Sequence, residues 1–285
     1  MKFDVYANLD HLFMLNFSVK AACLQKLLPS SLKVLDYRGR GFPSIVLPCI
    51  KNLRPVGLNF PYVNYELYGL RILVEYKSRQ LGRVKGIYFK ELIIAPNWVR
   101  QIANVVSPFY FKRGTILKRS TVDNVVDISV TNSESEILLS AKVSTDRTSP
   151  KRITASSVFS SPEEAMKMYN DIMYGFLPDE KNHMIHIMQI ADPHPEYVAW
   201  PLSGVEVMEI EAKSLHGERM LEESGLALEQ SYYVGTLPRY WRWLSSEKIV
   251  DQEAKLADSP NAAFHSRFNP TANKQLLQTR RIQAT

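Results

Sequence analysis

Two lysines, Lys90 and Lys112, stand in the apolar parts of the stretch 84–116, VKGIYFKELIIAPNWVRQIANVVSPFYFKRGTI. A lysine in such surroundings is either an edge residue that keeps its water contact or an amine with a lowered pKa that can attack a carbonyl. Carboxylates interrupt the neighbouring apolar segments too: Glu66 in VNYELYG, Glu75 in ILVEYK and Glu91 beside Lys90. Each either faces outward on an amphipathic strand or points into a pocket where burial shifts its pKa and makes it a general acid or base.

Other chemistries find less support. His183, His186 and His194 are the only histidine cluster, and the first two are three residues apart, which on a strand places them on opposite faces. No metal site is expected, and the histidines read as structural or surface residues. Gly39 and Gly41 form an RGRG turn without the helix that a dinucleotide site requires, and no G-x-S-x-G elbow occurs. No cofactor is implied.

The elements that must position these residues follow from the apolar pattern. Residues 12–18 (LFMLNFS) read as a buried first strand, and Leu24, Leu27 and Leu28 as a short helix ended by Pro29. SLKVLDYRGRGFPSIVLPCI reads as a hairpin turning at Gly39 to Gly41. VNYELYGLRILVEY and VKGIYFKELII form a second hairpin around the basic turn KSRQLGR. After the central stretch, FKRGTILKRS, NVVDISV and EILLSAKVS suggest an antiparallel meander. Ser161, Pro162 and Glu164 spell the capping box of a helix whose Met166, Tyr169 and Met173 share a face suited to core packing. HMIHIMQI and AWPLSGVEVMEIE read as strands, HGERMLEESG as a short helix closed by Gly225, and YYVGTLPRYWRWL as the closing element. About ten strands against three or four short helices, without βαβ alternation, give an α+β fold, mostly antiparallel, curled or closed into a cone-shaped barrel. One domain over 1–248 and a flexible C-terminal tail over 249–285 are expected, with the site in a pocket of the curled sheet.

Composition bounds the setting. The 285 residues are 45% hydrophobic, enough for a sizeable core, yet no apolar run approaches the roughly 18 residues of a membrane span. An acidic residue interrupts MKFDVYANLD where a signal peptide would be apolar, and Cys23 and Cys49 lie in apolar contexts, so the reading is a cytoplasmic protein with buried thiols. The net charge of +6 is uneven. Residues 1–120 hold 19 Lys+Arg against 6 Asp+Glu, and residues 121–244 hold 10 against 19. Nucleic acid or an acidic partner could meet the basic half, but with no recognition motif the two halves read as one fold packed from segments of opposite sign.

The succession LQKLLPSSLKVLDYRGRGFPSIVLPCI, YVNYELYG, GRVKGIYFKELI, SPFYFKRG, YVAWPLSGVEVMEIE, LEESGLAL and YYVGTLPRYWRW resembles the YqjF-like family of unknown function, within the acetoacetate decarboxylase superfamily. The resemblance covers about residues 9–248. It implies a cone-shaped antiparallel barrel with an internal cavity, in which decarboxylases form a Schiff base on a lysine beside a second lysine. By that resemblance Glu66 matches the glutamate of their Tyr-x-Glu context and Arg100 the arginine of their Gly-Arg-Glu helix. Tyr65 and Tyr110 join Arg100 as substrate-binding candidates. Where decarboxylases read Tyr-Pro-Lys-Lys, this chain reads Ser107-Pro108-Phe109-Tyr110-Phe111-Lys112, so the lysine slot falls on Phe109 or Tyr110 and Lys112 follows two or three residues later.

Three functional readings result. One is a lyase or related enzyme with Lys112 or Lys90 as amine and Glu66 as acid and base. Another is a non-catalytic module that holds a small apolar or carboxylate ligand. The last is a binder of nucleic acid or an acidic partner, the least favoured. The expected partner is a small molecule, without membrane insertion, and an oligomer is compatible with the chain.

Overall fold

A computed structural model describes residues 4–58, 62–120, 124–144, 157–170, 172–191, 203–204, 206–212 and 225–249. Its strands are β1 Val5–Lys20, β2 Lys33–Val34, β3 Arg40–Gly41, β4 Pro43–Pro55, β5 Val63–Ser78, β6 Gly82–Ala95, β7 Lys112–Ser120, β8 Val125–Asn132, β9 Ile137–Ser144, β10 Tyr174–Asp179, β11 Met184–Ala191, β12 Ser203–Gly204, β13 Glu206–Glu211 and β14 Ala227–Lys248. The helices are α1 Ala21–Gln25, α2 Asn97–Val106 and α3 Pro162–Asn170.

All fourteen strands belong to one sheet, and its pairings return on themselves. β6 pairs with β10 and β5, and the path β10, β11, β14, β1, β4, β5 leads back to β6, so the sheet is curled in a ring. The expected α+β, strand-rich, mostly antiparallel fold is present. Among the described strands only β6–β10 and β6–β7 run parallel. β7, β8 and β9 continue from the end of β6 as the anticipated antiparallel meander, and β13 adds to it on β9.

Alternation along the ring strands explains why they form. On β1, Phe13, Leu15, Phe17 and Val19 enter the main core with Ile45 and Leu47 of β4, Tyr68, Leu70 and Ile72 of β5, and Ile128 and Val130 of β8. The intervening residues face the other way, where smaller apolar clusters gather: Leu12, Val46 and Ile50, then Phe42, Leu73 and Ile87 beneath α3, then Leu92, Ile94 and Phe111 beneath Val99 of α2. Both faces of these strands are thus packed, which accounts for their near-continuous apolar runs.

The basic hairpin forms as anticipated, β5 and β6 pairing from Glu66↔Ala95 to Ser78↔Gly82. The other hairpin differs. Arg38 and Gly39 both have positive φ, and Tyr37 and Arg40 exchange backbone hydrogen bonds, so a two-residue turn closes on itself. The strand that follows, β4, pairs with β1 and β5 instead of with the segment before the turn, which reaches only as far as the two-residue β2 on β5. At α3 the capping box is shifted: Ser161 Oγ accepts from Glu164 N–H at 3.2 Å, but the Glu164 carboxylate reaches back to Ser160 N–H at 2.6 Å and to the Tyr37 hydroxyl. Tyr169 packs on Phe42 and Phe159, whereas Met173 lies past the helix end and is exposed. The Met166 side chain, the segment 213–224 with its expected helix, His194, and all of the expected tail except Ile249 lie outside the described residues. No described helix is long and apolar enough to cross a membrane.

Candidate functional site

The central stretch delivers its two lysines to different surroundings. Lys112 opens β7 with its side chain 54% exposed, and its Nζ donates to Glu91 Oε1 at 2.7 Å. Lys90 is half-buried on β6 at a bulge: Leu70 of β5 pairs with Glu91 and Arg71 with Phe89, so the β5–β6 register skips Lys90.

Glu66 does meet a lysine, but another one. Lys118, further along β7, is only 13% exposed, and its Nζ donates to Glu66 Oε2 at 2.7 Å and to the Leu47 carbonyl at 2.9 Å, 6.0 Å from the Phe13 ring centre. Cys49 sits directly across the β4–β5 ladder from Glu66. Burial raises its thiol pKa first, and the adjacent Glu66 carboxylate raises it further, so the thiol stays protonated. A charged amine already bonded to a carboxylate and a carbonyl is a clamp between β7 and the ring.

Arg100 lies on α2 and donates through Nε to Asn97 Oδ1 at 2.8 Å within the helix's first turn. Tyr110 is 75% exposed. Tyr65 packs with Leu67 between two of the smaller apolar clusters, and burial raises its hydroxyl pKa strongly. A second set of polar positions runs across the ring: Arg71 of β5 pairs with Ser44 of β4, Ser44 with Asn16 of β1, and Asn16 with Gln230 of β14. Residues directly opposite one another in antiparallel strands share a face, so these four side chains form one transverse row.

Arg71 donates through Nε to Ser44 Oγ at 3.0 Å, and its Nη2 lies 2.8 Å from Met14 Sδ. Desolvation lowers its pKa to about 10, with Tyr169 opposing and Arg239 reinforcing the shift, and the guanidinium remains charged at neutral pH. Among the described residues no carboxylate is bonded to it. Asn16 and Ser44 are fully buried and Gln230 nearly so. Neither Asn16 Oδ1 nor Asn16 Nδ2 has a hydrogen-bond partner among the described residues, and neither does Gln230 Oε1. Two residues on, Ser18 is bonded to Arg40 and to the buried Glu229, so the missing partners are not shared by every buried polar residue of β1, although Ser31 Oγ and Ser245 Oγ also lack one elsewhere among the described residues.

Along β5 side chains alternate, placing Glu66 with Tyr68 and Leu70 on the main-core face, and Tyr65, Leu67, Arg71 and Leu73 on the other. The Lys118–Glu66 pair and the Arg71 row therefore occupy opposite faces of one strand. His186 bonds Ser246 Oγ through Nδ1 at 2.9 Å, and His183 is exposed. No group of three or more potential metal ligands occurs among the described residues.

Sequence reasoning passed over Lys118, Arg71, Asn16, Ser44 and Gln230. The signal for Lys118 was its spacing from Ile116, a core residue two positions earlier on the same face of β7. For the row, the only signal was a polar residue at one aligned level of each of four apolar strands, which needs the register to be seen.

Comparisons with known proteins agree with this architecture. The model of a family described as an uncharacterized conserved protein, DUF2071, matches residues 6–224. No curated protein matches the chain. Among solved structures, the enduracididine biosynthesis enzyme MppR complexed with pyruvate is similar with a TM-score of 0.52 at 9% identity, covering 88% of this chain and 91% of that one. Acetoacetate decarboxylase from Legionella pneumophila gives 0.51 at 11% identity, covering 85% and 87%. An acetoacetate decarboxylase-like enzyme from Sphingomonas wittichii gives 0.51 at 11%, covering 87% and 94%. At such identities these likenesses establish the shared fold.

Proposed function

Since the chain belongs to the uncharacterized DUF2071 family and folds like acetoacetate decarboxylase, we propose that it binds a small organic carboxylate within the curled sheet, with Arg71 as the cationic anchor. The observation that carries this reading is geometric: Arg71, partly buried on β5, bonds Ser44 Oγ and lies against Met14 Sδ, with no carboxylate bonded to it among the described residues. A partly buried guanidinium with no carboxylate bonded to it among the described residues is suited to receive one from a ligand, because its forked donors match a carboxylate in two parallel hydrogen bonds. That a solved relative in fold is complexed with pyruvate supports the ligand class.

The lysine-based lyase reading would rest on Lys118, whose amine lies beside the Glu66 carboxylate. To attack a carbonyl carbon the amine must first lose a proton to Glu66, form the carbon–nitrogen bond and expel water. Its position on the face of β5 opposite Arg71 separates that amine from the proposed carboxylate anchor. Binding without turnover is therefore the favoured reading, and neither Lys112 nor Lys90 enters it.

Thermal denaturation and calorimetry with pyruvate, acetoacetate and butyrate test the proposal. Stabilisation by at least one of them is expected, and it disappears in Arg71→Gln. Failure of every carboxylate to stabilise the wild type, or equal stabilisation of Arg71→Gln, refutes it. Cyanoborohydride treatment with acetoacetate should leave the intact mass unchanged, whereas a mass gain on the Lys118 peptide would restore the lyase reading.

A further inference from the structure

Arg71 can hold one end of a ligand, and the rest of the row describes the other end. The guanidinium crosses β4, bonding Ser44 Oγ, and reaches Met14 of β1, two residues before Asn16 on the same face. Neighbouring strands lie about 4.8 Å apart and successive residues on one face about 7 Å apart. The Asn16 amide therefore stands within a few carbon atoms' reach of a carboxylate seated on Arg71. Gln230 Oε1 lies one strand further along the row.

The unpartnered atoms specify the chemistry. Asn16 Oδ1 and Gln230 Oε1 need donors, and Asn16 Nδ2 needs an acceptor. Exchanging the oxygen and nitrogen of the Asn16 amide changes nothing, because both ends lack partners. A ketone accepts hydrogen bonds but donates none, and an alkyl chain does neither. A hydroxyl or a primary amide does both.

Resting on the carboxylate-binding reading above, we infer that the ligand is a short carboxylate bearing a hydroxyl or carbamoyl group one to three carbons from its carboxyl group, with Asn16 and Gln230 as the residues that select it. A site built to hydrogen-bond a polar substituent rejects the analogue that lacks it, because its own buried groups are then left unpaired.

Four-carbon probes separate the two levels of the argument: butyrate, acetoacetate, 3-hydroxybutyrate and succinamate, titrated by calorimetry into the full chain. The expected result is binding of 3-hydroxybutyrate or succinamate at least tenfold tighter than of butyrate and acetoacetate. In Asn16→Val that preference shrinks to less than about twofold while butyrate still binds. Gln230→Met provides the same comparison should Asn16→Val fail to fold. Equal affinity for all four probes, abolished by Arg71→Gln, overturns the selectivity inference and leaves the carboxylate anchor standing. Binding of none of them at 10 mM overturns both.

Discussion

Replacing Asn16 by Val should make the ligand-free protein more stable. Asn16 is fully buried with both ends of its amide unpartnered, and an unpaired amide in a protein interior costs about 1–3 kcal/mol relative to an apolar group. Valine is β-branched, suits a strand flanked by β4 and β14, and differs little in volume, so part of the gain offset by tighter packing is about 1 kcal/mol. The net expectation is a gain of up to about 2 kcal/mol, or a Tm rise of up to about 4–8 °C for a chain of this size. Urea titration followed by circular dichroism measures it, with an unchanged m-value showing that the unfolded state is not responsible. Ser18→Ala is the internal control. Ser18 lies two residues further on the same face, but its hydroxyl bonds Glu229 and Arg40, and removing it should cost about 1–3 kcal/mol. With 3-hydroxybutyrate at one hundred times its Kd, the wild type should gain about 2.7 kcal/mol, and Asn16→Val, binding it at least about tenfold more weakly, should gain about 1.4 kcal/mol or less. A less stable Asn16→Val with the wild-type m-value would refute the reasoning, since it would mean that the amide is already satisfied within the fold.

Other perturbations probe the frame and the rejected lysines. A Cβ at Gly86 would fall on the Phe176 ring and 2.5 Å from the Tyr174 carbonyl oxygen; Gly86→Ala should lose about 2 kcal/mol or more in chemical denaturation and loosen the parallel β6–β10 contact. In a double-mutant cycle, Lys118→Met and Glu66→Gln should show a coupling of about 1 kcal/mol or more, because Lys118 is mostly buried. Lys112→Ala should change stability by less than about 1 kcal/mol, since its bond to Glu91 is made by an exposed ammonium. The Tyr37 hydroxyl and then the Ser160 N–H hold the Glu164 pKa below its ordinary 4.5. A depressed carboxylate stabilises the fold above that value and ceases to as pH falls through the lowered one. Thermal melts from pH 6 to pH 3 should show an acid-side loss that is smaller in Glu164→Gln.

Much of the architecture was legible because it rests on local pattern. The β5–β6 hairpin follows from two apolar runs around a charged turn, and the β7–β8–β9 meander from short alternating segments. The RGRG hairpin was misread for a physical reason. The turn was expected at Gly39 to Gly41, but Arg38 and Gly39 close it within four residues, and β4 satisfies its backbone on β1 and β5 instead. Turn chemistry specifies a reversal, not the partner of the strand that leaves it.

The candidate site was less legible, and β5 shows why. Glu66 and Arg71 are five residues apart, an odd number, so alternation alone places them on opposite faces. Periodicity cannot say what each face meets, because both are apolar here. Glu66 found Lys118 from β7, a strand that joins the ring only through two residues of β6. Arg71 found Ser44 at the same level of β4 and Asn16 beyond it, an alignment that exists only once three strand registers are set together. The same registers expose the misfit that a sequence cannot display: Ser18 and Asn16 are equally polar and equally buried on one strand, but the first is bonded on two sides and the second on none. A fold that satisfies Ser18 with a buried glutamate and an arginine has the means to satisfy Asn16 as well. Leaving that amide open beside a dehydrated guanidinium is the arrangement expected where the missing partners arrive with a ligand.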